Sequence, residues 1–294
     1  MSDIKIFWDP QGFELDSLGK NKYLRATDGD TPYISVSIRM LSIDTPEVHY
    51  PGNSKPSKQD DNLKELADWI GQGKTSISDE LGQYLIPKLK SGKAGTLQEE
   101  QGEKATKEFE KLLDEKLTKP NGKKRSVFVR AADEHFDQYG RLLAYMSPSY
   151  TSNELSTMTL EDRSTFNLLM VKSGWAATFA IYPSIPKYND LILFQKVAKD
   201  AYENNLGAWS DSKALTGYEF RMCVRLYEIT SKLLSGKSAK KDSWVTRYCV
   251  DMTTREIFPP QDYHKVKPYN RIFVWPKDVS NAVGRMNLLP PDSI

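Results

Sequence analysis

The chain alternates apolar and polar residues from Phe13 to Ile43, through KYLRAT, the turn DGDT and YISVSIRMLSI. Its β-branched content predicts two antiparallel strands around Gly29. Asp44-Thr45-Pro46 ends the second of them, because Pro46 has no N–H to give a ladder. From Pro51 to Gly95 the text is polar and interrupted by Gly, Pro and Ser, yet it holds two short amphipathic faces, Leu63-Leu66-Ile70 and Leu81-Leu85-Leu89. A stronger helix is predicted in GEKATKEFEKLLDEKL, where Ala105, Phe109, Leu112, Leu113 and Leu117 recur at helical spacing. SVFVRAA and RLLAYMS, joined by the turn Asp137 to Gly140, read as a hairpin. STFNLLMVKSGWAA and YNDLILFQKVAKDAYENNLG predict two further helices, closed near Gly174 and Gly207. After Trp209 the runs EFRMCVRLYEI, WVTRYCVDM, REIFPP and RIFVWP are separated by turn residues and predict a small β-rich region.

At 294 residues the chain favours two domains, and its apolar fraction of 39% and charged fraction of 27% are those of a folded protein. The net charge of +2 means that attraction to a polyanion must come from local clusters of Lys and Arg. Two cysteines exclude a disulfide framework, and Cys223 and Cys249 read as buried thiols that would pair only if their strands pair. The opening MSDIKIFWDPQGF has no basic stretch followed by an apolar one, and nowhere do 18 apolar residues run together. The expectation is a chain without export signal or membrane span, cytoplasmic or secreted with its leader removed.

Three segments place charged groups at ends of predicted strands: DGDT at 28–31, RMLSIDTPE at 39–47 and DQYGR at 137–141. Asp30 and Asp44, with the Thr45 carbonyl, offer the oxygen ligands that a hard cation takes. Arg39 and Arg141 can fork onto phosphate oxygens, and Glu47, just past the proline turn, suits a general base. Taken singly, each segment reads first as surface ion pairs and turn-forming aspartates.

In this order, DGDT, R-x-L-x-x-D-T-P-E and D-x-Y-G-R-x-L-A-Y closely resemble the staphylococcal nuclease family over about Phe13 to Ser210. The resemblance implies an α+β fold, a five-stranded OB-type β-barrel with three helices, here carrying a helical insertion at about 51–98. Domains are then expected at 1–211 and 212–294, the second a β-rich accessory domain, with the nuclease part separable. The implied activity is calcium-dependent hydrolysis of phosphodiester bonds in DNA and/or RNA, leaving 3′-phosphate ends. Asp30, Asp44 and Thr45 correspond to the Ca²⁺ ligands, Arg39 and Arg141 to the phosphate-binding arginines, and Glu47 to the base. Asp28 matches a carboxylate behind the ligands, and Tyr139 and Tyr182 match tyrosines that contact substrate. Gln138 stands in place of a lysine and Ala180 in place of a second pocket tyrosine, so base stacking is weakened or supplied otherwise. A monomer with nucleic acid as partner is expected. The rival reading is a non-catalytic OB-type nucleic-acid-binding module, which leaves the three carboxylates unexplained.

Overall fold

Hydrophobic spacing and capping residues set the elements seen in the computed structural model, which describes residues 20–289 apart from the side chains of residues 133 and 134. The part of the first predicted strand pair at 13–19 lies outside those residues. In chain order the early elements are β1 (Lys22–Ala26), β2 (Pro32–Ser35), β3 (Ile38–Met40), β4 (Ser42–Asp44), α1 (Asp60–Gly71), α2 (Asp79–Leu89) and α3 (Ala94–Leu117). Next come β5 (Val127–Phe136), β6 (Leu142–Pro148), α4 (Ser152–Thr157), α5 (Phe166–Lys172), β7 (Ala177–Ile181) and α6 (Tyr188–Glu203). The last are α7 (Gly217–Leu234), β8 (Tyr248–Asp251), β9 (Ile257–Phe258), β10 (Arg271–Val274) and α8 (Val279–Met286). The predicted faces of α1 and α2 are realised, since Leu63, Leu66, Leu81, Leu85 and Leu89 are all fully buried. Among the described residues no helix is long and apolar enough to cross a membrane.

The described chain divides into two bodies, residues 20–40 with 130–144 and residues 41–129 with 145–289. In the smaller, β1 pairs antiparallel with β2, and β3 runs parallel to β6 with Arg39 opposite Leu143. The larger holds a sheet of order β4-β7-β10-β8-β9. There β4 is antiparallel to β7, placing Asp44 opposite Ala177, and β7 is parallel to β10, placing Ala180 opposite Ile272.

Helix α3 begins at Ala94, two turns before the predicted start. The Asp60 carboxylate accepts from the Gly95 and Thr96 amides at 2.7 and 2.9 Å and so satisfies the helix N-terminus. This long-range cap has no local sequence signal.

The segment EFRMCVRLYEI, predicted as a strand, is the middle of helix α7. Thr216 and Glu219 form a capping box at its start, the T-x-x-E signature of a helix N-terminus. Tyr218, Phe220, Met222, Cys223, Val224, Leu226 and Ile229 are all buried. A helix buried on most sides has apolar residues at i+2 as well as i+3 and i+4, and that mixture imitates a strand. Cys223 on α7 and Cys249 on β8 are both buried free thiols.

The expected division at residue 211 is not the one along which the structure parts. α1 and α2 from the insertion share a hydrophobic core with α7, Tyr263 and Phe273, and β10 lies between β7 and β8. Each fully buried Leu in such a core contributes about 1.5 to 3 kcal/mol. A chain ending at 211 should therefore lose cooperative unfolding and bind a hydrophobic dye. Circular dichroism melts of the truncated and full chains check this, and equal, sharp transitions would count against it.

The core also encloses a charge network. Glu219, 1% exposed, accepts from the Tyr84 hydroxyl at 2.7 Å, with Lys88 Nζ at 3.5 Å and Arg271 Nη1 at 3.7 Å. Burial raises the Glu219 carboxyl, but Lys88 and Arg271 outweigh it and bring it down to about 2. Because its folded value is depressed, the stability it confers is complete above the ordinary value near 4.5 and is lost as pH falls toward about 2. Glu219→Gln should cost about 3 to 5 kcal/mol at neutral pH by leaving two buried cations unpaired. Urea melts across pH 2 to 7 should show a shallower acid slope for the variant than for wild type.

Candidate active site

Asp44 closes β4, and Glu47 follows it past Pro46. The turn between them is wedged between two helices. On one side α3 presents Gly102, where a Cβ would lie 2.8 Å from both the carbonyl carbon and oxygen of Glu47. One turn earlier, buried Gln98 has its amide oriented to accept from the Glu47 amide at 2.8 Å and donate to the Leu215 carbonyl at 3.0 Å. On the other side α7 starts with Gly217, where a Cβ would lie 2.4 Å from the Thr45 carbonyl oxygen and 2.7 Å from Asp44 Oδ2. Only glycine lets both helix backbones come this close.

Arg221 stands one turn further along α7. Its Nη2 donates to both carboxylate oxygens of Asp44, at 3.0 and 3.2 Å, and its Nη1 donates to Glu47 Oε1. The Asp44 side chain is 3% exposed and that of Arg221 27%. Burial works against the charge on Arg221, and the two carboxylates outweigh it, so its proton is held more tightly than usual. Arg247 completes the positive surroundings. Its guanidinium lies 4.1 Å from the Trp275 ring centre and 5.5 Å from that of Phe179, and burial lowers its pKa.

In the smaller body Asp137 organises DQYGR. Its Oδ1 accepts from the Tyr139 and Arg141 amides at 2.9 and 3.0 Å, and its Oδ2 from Arg141 Nε and Nη2 at 2.8 and 2.7 Å. Partial burial raises the Asp137 carboxyl, but these hydrogen bonds prevail and lower it. The guanidinium of Arg141 is thus aligned by a fork from within its own turn, and Tyr139 stands 72% exposed beside it. Asp30 accepts from the Thr31 hydroxyl at 3.0 Å, while hydrogen bonds with Thr31, first, and with Asp30 lower Asp28. Arg39 sits within β3.

The predicted residues accordingly fall into two groups. Asp44, Thr45 and Glu47 are held together in the larger body, whereas Asp28, Asp30, Arg39, Tyr139 and Arg141 belong to the smaller. Tyr182 is placed differently from a pocket-lining tyrosine. It is buried with Ala180, Ile272 and Val274, and its hydroxyl donates to Asn281 at 3.1 Å. Among the described residues no group of three or more His, Cys, Asp or Glu side chains is arranged to hold a metal ion. Sequence reading missed Gln98, Gly217 and Arg221. The T-x-x-E box at Thr216 could have revealed α7, and with it the turn that carries Arg221.

The larger body thus carries a carboxylate-bearing proline turn, and the smaller an arginine aligned by Asp137. Residues 37–211 match the staphylococcal nuclease homologue family, and the chain belongs to that family. It is 25% identical over 256 residues to Endonuclease YhcR of Bacillus subtilis (strain 168), a match covering 85% of this chain and 15% of that protein. It is 27% identical over 194 residues to the uncharacterized protein MJ1439 of Methanocaldococcus jannaschii, covering 64% of this chain and 70% of that one. The chain therefore spans only a small part of the Bacillus endonuclease.

The close approach at Gly217 makes a direct test of the wedge. Gly217→Ala should destabilise by about 1 to 3 kcal/mol, since the added methyl meets backbone and carboxylate oxygens that cannot both retreat. Gly284→Ala on α8, where a Cβ meets nothing within 4 Å, should be neutral or stabilising by up to about 1 kcal/mol. Denaturant melts of the two variants check both.

Proposed function

We propose that the chain is a nuclease that hydrolyses phosphodiester bonds of DNA and/or RNA, acting as a monomer. The observation that supports this reading is the family match over residues 37–211, the segment in which Arg39, Glu47 and Arg141 lie in motifs that resemble those of the family. The endonuclease name of the Bacillus relative supports it.

Attack on a phosphodiester builds negative charge on the non-bridging oxygens, and fixed cations aimed there lower the barrier. Arg39 and Arg141 take that role, Arg141 with its fork already aligned by Asp137. Glu47 takes the proton of the attacking water. A bond forms from that water to phosphorus, the bond to the 5′ oxygen breaks, and that oxygen leaves with a proton from solvent. The products are a 3′-phosphate and a 5′-hydroxyl. Tyr139 offers an open ring to a base or sugar.

Calcium is the cofactor that the family resemblance implies, and it would add positive charge beside the phosphate. Asp30, Asp44 and Thr45, with Asp28 behind them, are the residues assigned to it. As arranged, both Asp44 oxygens serve Arg221, and Gly217 closes on the Thr45 carbonyl. That set does not fit a metal ion as it stands, and no step above passes through one.

Plasmid, single-stranded DNA and RNA, each incubated with Ca²⁺, Mg²⁺ or a chelator, test the activity. Cleavage of at least one of these substrates is expected, and the chelator arm reads whether the calcium dependence that the family resemblance implies holds for this chain. Glu47→Gln should bind substrate yet cleave about two to four decades more slowly, the usual loss when a general base is removed. Equal rates for folded wild type and variant would remove Glu47 from that role. If wild type cleaves nothing under any condition, the non-catalytic OB-type nucleic-acid-binding module takes over.

A further inference from the structure

A buried carboxylate without a positive partner is costly, so one that keeps its charge must be matched by a cation. Asp44, 3% exposed, is matched by Arg221 through both its oxygens. The same guanidinium reaches Glu47. Helix α7 adds to this: its first turn closes on Asp44 Oδ2 and the Thr45 carbonyl at Gly217, bringing the positive end of an 18-residue helix to the same carboxylate. The two Asp44 oxygens, part of the set that the family resemblance assigns to a divalent cation, are thus already served by a cation belonging to the protein. Arginine does not lose its proton under ordinary conditions, so Arg221 can give up these carboxylates only by moving away. Its side chain is 27% exposed, whereas that of Asp44 is 3% exposed.

We propose that Arg221 is the resident cation of the Asp44–Glu47 pair, and that a divalent metal ion binds Asp44 only by displacing it. Arg221 lies beyond the family match at 37–211, so the C-terminal region carries a built-in competitor that raises the metal concentration needed for occupancy. The inference rests on the nuclease reading only for the choice of cation.

Calcium titration calorimetry on the full chain, with no nucleic acid present, tests it. Arg221→Met should bind Ca²⁺ at least tenfold more tightly than wild type, and Asp44→Asn in the same background should abolish the gain. Saturating calcium should also raise the melting temperature of Arg221→Met more than that of wild type, because the ion takes over as partner of Asp44. Should Arg221→Met unfold without metal, Arg221→Lys carries the test. Lysine keeps the charge but cannot fork onto two carboxylates, so calcium affinity should rise severalfold. Equal or weaker calcium binding by a folded Arg221 variant would overturn the proposal. Failure of the nuclease reading would show separately, as absent cleavage in the presence of normal calcium binding.

Discussion

The carboxylate of Asp44 has to be neutralised where it is buried, and the larger body is arranged around that requirement. Arg221 is the partner, and to reach Asp44 it has to come from a helix whose backbone touches the strand end. Gly217 permits that touch, and the Thr216–Glu219 box starts α7 at the right residue. Once α7 is seated, Glu219 is carried into the core, where Tyr84, Lys88 and Arg271 converge on it. The charge at the strand end and the charge in the core are therefore coupled through four residues of one helix.

The same seating explains why the insertion and the C-terminal region are not appendages. Lys88 and Tyr84 belong to α2, and Arg271 opens β10, so the Glu219 network joins the two segments that sequence reading set apart. Apolar burial does the rest, with α1 and α2 presenting fully buried leucines to a core they share with α7. Removing Glu219 or the C-terminal strands would leave these leucines and cations without partners, which is costlier than the loss of any single contact.

Much of this was legible in the sequence. The faces of α1 and α2, the helices closed near Gly174 and Gly207 and the proline stop after Asp44 all follow from local rules, and they are where the structure has them. The charged segments were legible as a set only through their order along the chain. Two things were hidden for physical reasons. The cap of α3 comes from Asp60, 35 residues away in sequence, and a long-range hydrogen bond leaves no local trace. Helix α7 has the alternating run Tyr218, Phe220, Met222 and Val224 on its buried side, which imitates a strand although Arg225, Glu228 and Lys232 mark an exposed stripe at helical spacing. Arg221 was concealed with it.

Ala180 shows how one departure from the family pattern fits this architecture. A tyrosine was expected there by resemblance, yet the residue is 3% exposed and pairs with Ile272 of β10. Its neighbour Tyr182 is likewise covered, packed against β10 and tied to Asn281. A close-packed interior does not admit an extra aromatic ring without displacing its neighbours. The small side chain at 180 fits the buried cluster it shares with Tyr182, Ile272 and Val274. The part of β7 that carries Ala180 and Tyr182 is covered by the protein's own C-terminal strand. Tyr139 is by contrast exposed and lies beside the arginine that Asp137 aligns. In this chain the C-terminal region both supplies the counter-charge to Asp44 and covers Tyr182.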